Sequence, residues 1–132
     1  MSTEFTPKNL RTPISCYEES TWTANGDPIW ENDQLAVWAD KFPCTPGHTL
    51  FIPKKDDVEH IQIAYGCAYQ WAKQQVAEGL WDGFNIGQNI GDAAGQTIYW
   101  LHIHVIPRHT GDSKDKGGIR RAHPNADHRA YY

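Results

Sequence analysis

Gln96-Thr97-Ile98-Tyr99-Trp100-Leu101-His102-Ile103-His104-Val105-Ile106-Pro107 is the stretch on which the reading of this chain turns. Its β-branched and aromatic residues, opened by Gly95 and closed by a proline, predict one long strand over 96–107. Side chains alternate between the two faces of a strand. His102 and His104 therefore share a face, with Trp100 beside them, while Leu101, Ile103 and Val105 face the other way, into a core. Two imidazoles side by side on a sheet face admit three readings. A neutral imidazole is a nucleophile near pH 7; it can attack phosphorus and carry the group covalently while its neighbour donates to a phosphoryl oxygen. The pair could instead chelate a metal, with His48 as a third ligand. Both could also be structural, paired with main chain or carboxylates.

Working outward, Gly87, Gly91 and Gly95 punctuate a loop before this strand, and Phe84 to Gln88 reads as another strand after a turn at Trp81-Asp82-Gly83. Upstream lies the clearest helix. Asp56 and Glu59 have capping-box spacing, apolar residues follow at Val58, Ile61, Tyr65, Ala68, Trp71, Ala72 and Val76, and Gly79 stands where a C-terminal cap belongs. His60 lies on the exposed face of that helix, and Trp71 reads as core. His48 to Pro53 is a strand, with Lys54 and Lys55 at its solvated end. Pro28 to Glu31 and Leu35 to Ala39 form a hairpin around Asn32-Asp33. Strands, one principal helix, then strands predict an α+β domain with a mostly antiparallel sheet of about five strands. The predicted division is an irregular arm over 1–13, a domain over 14–109 and a polar extension over 110–132, with Arg120 and Arg121 as solubilising charge. Segment 14–23 is open between a short helix and a loop.

Composition narrows the function classes. The 132 residues are 39% hydrophobic and 21% charged, a globular profile for one domain. No apolar run approaches the roughly 20 residues that span a bilayer, and Met1 to Arg11 has no apolar secretory core. A net charge of -4 argues against a general basic field for nucleic acid, though not against one small phosphate ligand. Cys16, Cys44 and Cys67 form no C-x-x-C pair, so they read as free thiols of a cytoplasmic protein.

The motif resembles that of the histidine triad (HIT) superfamily, His-φ-His-φ-His-φ-φ with φ apolar. The resemblance extends to Pro46-Gly47-His48-Thr49-Leu50-Phe51-Ile52-Pro53-Lys54, to Phe84-Asn85-Ile86-Gly87 and to the loop from Asn89 to Gly95, over about residues 28–108 in the family's order. It implies a HIT-like fold, a homodimer, and a hydrolase acting on phosphoramidate or anhydride bonds of nucleotides. The substrates implied are purine nucleotide phosphoramidates or dinucleoside polyphosphates, cleaved without cofactor or metal to release AMP or another nucleoside monophosphate. By resemblance, His102 is the nucleophile that takes the nucleotidyl group. His104 contacts the phosphate, His48 lies near it, Asn89 and Thr97 supply polar contacts, Gln96 precedes the latter, and Asp40 binds ribose hydroxyls. Two features depart from the pattern. Trp100 occupies the place of the first triad histidine, on the His face, where its bulk is expected to narrow the pocket; its carbonyl would survive as an acceptor for the nucleophile's Nδ1–H. Cys16 stands alone where relatives frequently carry a zinc pair. The alternative is a nucleotide-binding HIT-fold protein with little or no catalysis.

Overall fold

Five strands and one long helix organise the chain in the computed structural model, which describes residues 10–113 and 118–126. Asn32 Oδ1 accepts from the main-chain N–H groups of Gln34 (2.8 Å) and Leu35 (3.0 Å). This turn joins β1 (Trp30–Glu31) to β2 (Leu35–Ala39). After it come β3 (Thr49–Pro53), α1 (Val58–Ala77), β4 (Gly83–Gly87) and β5 (Ile103–Arg108). The sheet runs β1-β2-β3-β5-β4 with every pair antiparallel, so the α+β, five-stranded, one-helix expectation holds.

The period of two splits the sheet residues between two cores. Leu35, Phe51, Ile103 and Val105 pack under α1, against Ala64, Ala68 and Ala72. Those alanines, four apart on one face, let the helix approach the sheet closely. The helix begins one residue later than the spacing predicts. Asp57, not Asp56, is the N-cap, because His60 supplies it with two donors, its main-chain N–H (2.8 Å) and ring Nδ1 (2.7 Å). His60 is accordingly drawn in and half-buried rather than exposed, whereas Val58 is left in solvent. At the other end Gly79 takes a φ of +78°, Leu80 N–H donates to Gln75 O and Gly79 N–H to Val76 O, each at 3.0 Å. That pair of bonds is a Schellman cap.

The opposite sheet face carries Ala36, Trp38, Leu50 and Ile52, and the ambiguous segment folds over it. Tyr17, in the short 3-10 turn Tyr17–Glu19, and Trp22 are buried there with Trp100. Two indoles fasten this layer: Trp38 Nε1–H donates to Tyr17 Oη and Trp100 Nε1–H to Pro53 O, both at 2.8 Å. Of the predicted arm, Leu10 bridges Ile98 and Arg11 N–H donates to Thr97 O (2.6 Å). Residues 1–9, and the 114–117 and 127–132 parts of the predicted C-terminal extension, lie outside the described residues.

The long strand expected over 96–107 is shorter, and the reason is one side chain. Gln96 Oε1 accepts from Gly91 N–H (2.8 Å), while its Nε2 donates to the carbonyls of Ile98 (3.0 Å) and Tyr99 (2.9 Å). Carbonyls held by a side chain are withheld from a ladder, and β5 starts only at Ile103. Leu101, expected on the strand face opposite Trp100 with Ile103 and Val105, packs instead against the same core as Trp100. Trp100 is only 6% exposed and belongs to that core rather than to the wall of a pocket.

Candidate active site

Strand register brings together residues that are far apart in sequence. In the β2–β3 ladder Ala39 faces Thr49, and the next pair outward is Asp40 with His48, joined by an Asp40 N–H to His48 O bond of 3.0 Å. Their eight-residue spacing is thus the length of a connection that sets them directly opposite. In the β3–β5 ladder Leu50 faces His104, which puts His104 diagonal to His48. Asp40, His48, His102 and His104 stand on the sheet face away from α1. Gly47 enables the approach: its φ is +92°, and a Cβ there would lie 3.1 Å from Pro107 Cγ.

Hydrogen-bond partners settle the tautomers. His102 Nδ1 lies 2.8 Å from Trp100 O. A carbonyl only accepts, so Nδ1 carries the hydrogen and Nε2 keeps a lone pair. His48 Nδ1 accepts from Cys44 N–H (3.2 Å), which places its own hydrogen on Nε2. That Nε2–H lies 2.9 Å from His104 Nδ1 and 3.3 Å from Asp40 Oδ2. His104, accepting at Nδ1, is left with a hydrogen on Nε2 as a donor. Asp40 Oδ1 accepts from Phe42 N–H (2.8 Å), leaving the carboxylate with unused lone pairs.

Burial favours neutral imidazoles throughout. It pushes His102 below its ordinary value, against the raising effect of the Trp100 carbonyl. His48 is lowered by burial against the pull of Asp40. His104 falls to about 4, by burial first and then by the neighbouring His102 and His48. Near neutral pH the site therefore holds an unprotonated nucleophile candidate beside an uncharged N–H donor.

A cavity of about 200 Å³ opens here, and its lining includes Asp40, Asn89, Gln96, Thr97, His102 and His104. Six of the seven site residues expected from the sequence thus border one cavity; the seventh, His48, stands behind His104 and bonds to it. Gln96 reaches the cavity, but its amide braces the loop. Two lining residues escaped the sequence reading. Trp22 sets its indole edge-on to the His102 ring at 5.0 Å between centroids, and Phe42 stands 68% exposed at the rim. The aromatic richness of the chain was the only signal for them.

Asp40 Oδ2, His48 Nε2 and His104 Nδ1 also form the one group among the described residues whose spacing suits a cation. The tautomers oppose that use, since His48 Nε2 spends its hydrogen on its neighbours and the Cys44 N–H occupies Nδ1. His102, the other histidine considered as a ligand, is not a member of that group. Cys16 donates to Glu19 Oε1 (3.4 Å) and joins no such group.

Comparison with known proteins agrees with this geometry. A model of the HIT domain matches residues 23–111. An uncharacterised HIT-like protein of Saccharolobus solfataricus is 35% identical over 95 residues, 67% of this chain and 68% of its own. A hypothetical histidine triad nucleotide-binding protein of Sulfolobus tokodaii superposes with a TM-score of 0.58 at 33% identity, covering 66% of this chain and 63% of that one. A HIT family hydrolase of Clostridium thermocellum superposes with a TM-score of 0.53 at 26% identity, covering 66% and 83%. Sheet order, paired histidines and matched residues together make this chain a member of the HIT family.

Proposed function

We propose that the chain is a nucleotide hydrolase that works by nucleotidyl transfer to His102. The observation that carries this reading is the bond from His102 Nδ1 to Trp100 O, which leaves the Nε2 lone pair available beside His104 and Asn89. The nucleoside occupies the cavity, with Asp40 taking the ribose hydroxyls through its unused lone pairs. His102 Nε2 attacks the α-phosphorus, and the P–O or P–N bond breaks with its electron pair leaving on the departing group, which takes its proton from water. His104 Nε2–H, Asn89 and the Thr97 hydroxyl donate to the phosphoryl oxygens as charge gathers on them. Water then attacks the phosphorus and breaks its bond to His102, releasing the nucleoside monophosphate and restoring the imidazole. The substrates are phosphoramidates or dinucleoside polyphosphates of a purine nucleoside, and no cofactor takes part.

Two features of the surroundings belong to this reading. β4 is an edge strand, and beside it Tyr69 meets Phe84 edge-on at 6.3 Å while Leu80 lies 58% exposed; this edge suits pairing of two copies as a homodimer. All three cysteines are free and no described helix is long and apolar enough to cross a membrane, which suits a cytoplasmic enzyme.

The test is intact-mass analysis after mixing with adenosine 5′-phosphoramidate or diadenosine tetraphosphate, with AMP release followed alongside. An adduct of AMP mass, or steady release, lost in His102→Ala supports the enzyme. AMP binding without adduct or release leaves a nucleotide-binding member of the family.

A further inference from the structure

We infer that Lys41 selects the base of the nucleotide, and that it selects guanine over adenine. This inference rests on the proposed function and extends it from the phosphate to the base. Lys41 borders the nucleotide cavity and is the only lysine or arginine among its described lining residues. Its side chain is exposed, and no described residue forms an ion pair or hydrogen bond with its ammonium. The Gln96 amide, by contrast, is spent on bracing the loop. Asp40 is assigned to the ribose, and the remaining polar side chains of the wall to the phosphorus and its oxygens.

Strand register puts Lys41 at the base end of the cavity. Leu50 of β3 faces Trp38 on β2 and His104 on β5. From that level His102 lies two residues further along the sheet in one direction. Asp40 lies two residues from Trp38 in the other direction, and Lys41 follows it. His102, His104, Asp40 and Lys41 therefore come in that order along the strand axis. A nucleotide is laid out in the same order, phosphate, ribose and base. Asp40 Oδ1 accepts from Phe42 N–H (2.8 Å), which closes a tight turn with Lys41 at its centre. The exposed Phe42 ring stands next to it at the rim, and Leu50 and Ile98 add apolar wall. These side chains suit the faces of a flat ring; Lys41 meets its edge.

The chemistry of that edge decides the base. An ammonium offers donors and no acceptor. Guanine presents N7 and O6 as neighbouring acceptors, whereas adenine presents N7 beside an amino group whose hydrogens oppose a cation. The flexible four-carbon stem of lysine lets one ammonium reach both guanine acceptors.

The test measures the affinities of GMP, inosine 5′-monophosphate and AMP for the intact chain by calorimetry. The inosine nucleotide keeps N7 and O6 but lacks the 2-amino group of guanine. GMP and inosine 5′-monophosphate are expected to bind alike, each about tenfold more tightly than AMP. Lys41→Met, at an exposed position, keeps an apolar stem and removes the charge. It should weaken both about tenfold, to the affinity for AMP. Lys41→Arg, which can donate to both acceptors, should retain the preference. Equal affinities of the three nucleotides in the unmodified chain, or a preference that survives Lys41→Met, overturns the assignment and leaves the proposed function standing. So does a GMP preference that the inosine nucleotide does not share, since that would be read at the 2-amino group. An equal loss for all three in Lys41→Met also overturns it, by placing the ammonium on the phosphate. Failure of all three to bind overturns the proposed function, and the base assignment with it.

Discussion

The main-chain carbonyl of Trp100 accepts the Nδ1–H of His102 at 2.8 Å, while the indole of the same residue turns away and donates to Pro53 O. Orientation of the His102 ring and core packing are thus divided between the backbone and the side chain of one residue. Replacing the indole should separate them. Trp100→Phe keeps the carbonyl and leaves Pro53 O without its donor; it should cost about 1–3 kcal/mol of stability. Turnover per folded molecule should stay within about threefold, because less than a tenfold change is under about 1.4 kcal/mol of barrier. Denaturant unfolding alongside kcat checks both halves. A collapse of kcat at unchanged stability would show that the indole itself serves the chemistry.

His102→Ala removes the proposed nucleophile at a site whose other donors remain. The expected loss in kcat is about 10⁴-fold or more, with residual affinity for AMP, since loss of a nucleophile abolishes the covalent route while binding contacts persist. Single-turnover kinetics with AMP binding measured in parallel tests this. Loss of binding in proportion to rate would assign His102 to the binding surface alone.

Asp40→Asn acts through a neighbour as well as on substrate. Asp40 opposes the downward shift of His48, His102 and His104. Removing its charge should therefore lower all three further, most clearly His48, whose Nε2 lies 3.3 Å from the carboxylate. Titration of the His48 ring by NMR reads this directly, and an upward shift would contradict it. Affinity for AMP should fall about tenfold if the carboxylate holds the ribose.

The buried histidines also set the pH dependence of stability. His48, His102 and His104 all titrate lower in the folded chain than the ordinary 6.5, His104 at about 4. Below 6.5 the unfolded chain binds protons that the folded site refuses, so stability rises with pH in that window and is lost as pH falls through it. Tm should be level above neutrality and decline steadily from pH 6.5 towards 4. His104→Asn should flatten part of the decline. A Tm that climbed on acidification would refute the assignment.

Gly47→Ala probes the approach to His48. The positive φ and the 3.1 Å contact with Pro107 Cγ make any side chain strained there. A loss of about 1–3 kcal/mol is expected, with weaker nucleotide binding as His48 shifts. Unchanged thermal and denaturant midpoints would show that the turn relaxes freely.

How far the sequence could be read follows from where each constraint lies. The paired histidines and the amphipathic helix are periodic, and alternation or the helical repeat carries them directly into space; the step from Asp40 to His48 was legible only through the family resemblance. The segment from Gln96 to Leu101 is not periodic. Its composition favours a strand, but a single amide side chain captures the carbonyls, a tertiary detail that no local propensity contains. Trp100 misled for a related reason: alternation placed it beside the histidines, whereas the end of the ladder let it sink into the core. Trp22 could not have been found, because its partner His102 is eighty positions away and no repeat links them. The Asp57 cap, one residue off, was decided by which acid His60 could reach.

The contact between Trp22 and His102 has an optical consequence. Indole emission responds to the charge of a group against its ring, and here the group is the one assigned to carry the nucleotidyl intermediate. Protonation of His102, or its capture of a phosphoryl group, changes the field at Trp22 before any backbone moves. The site thereby carries its own spectroscopic reporter. Replacing Trp22 with Phe and subtracting the two emission traces during a single turnover isolates the intermediate's rise and decay without a label.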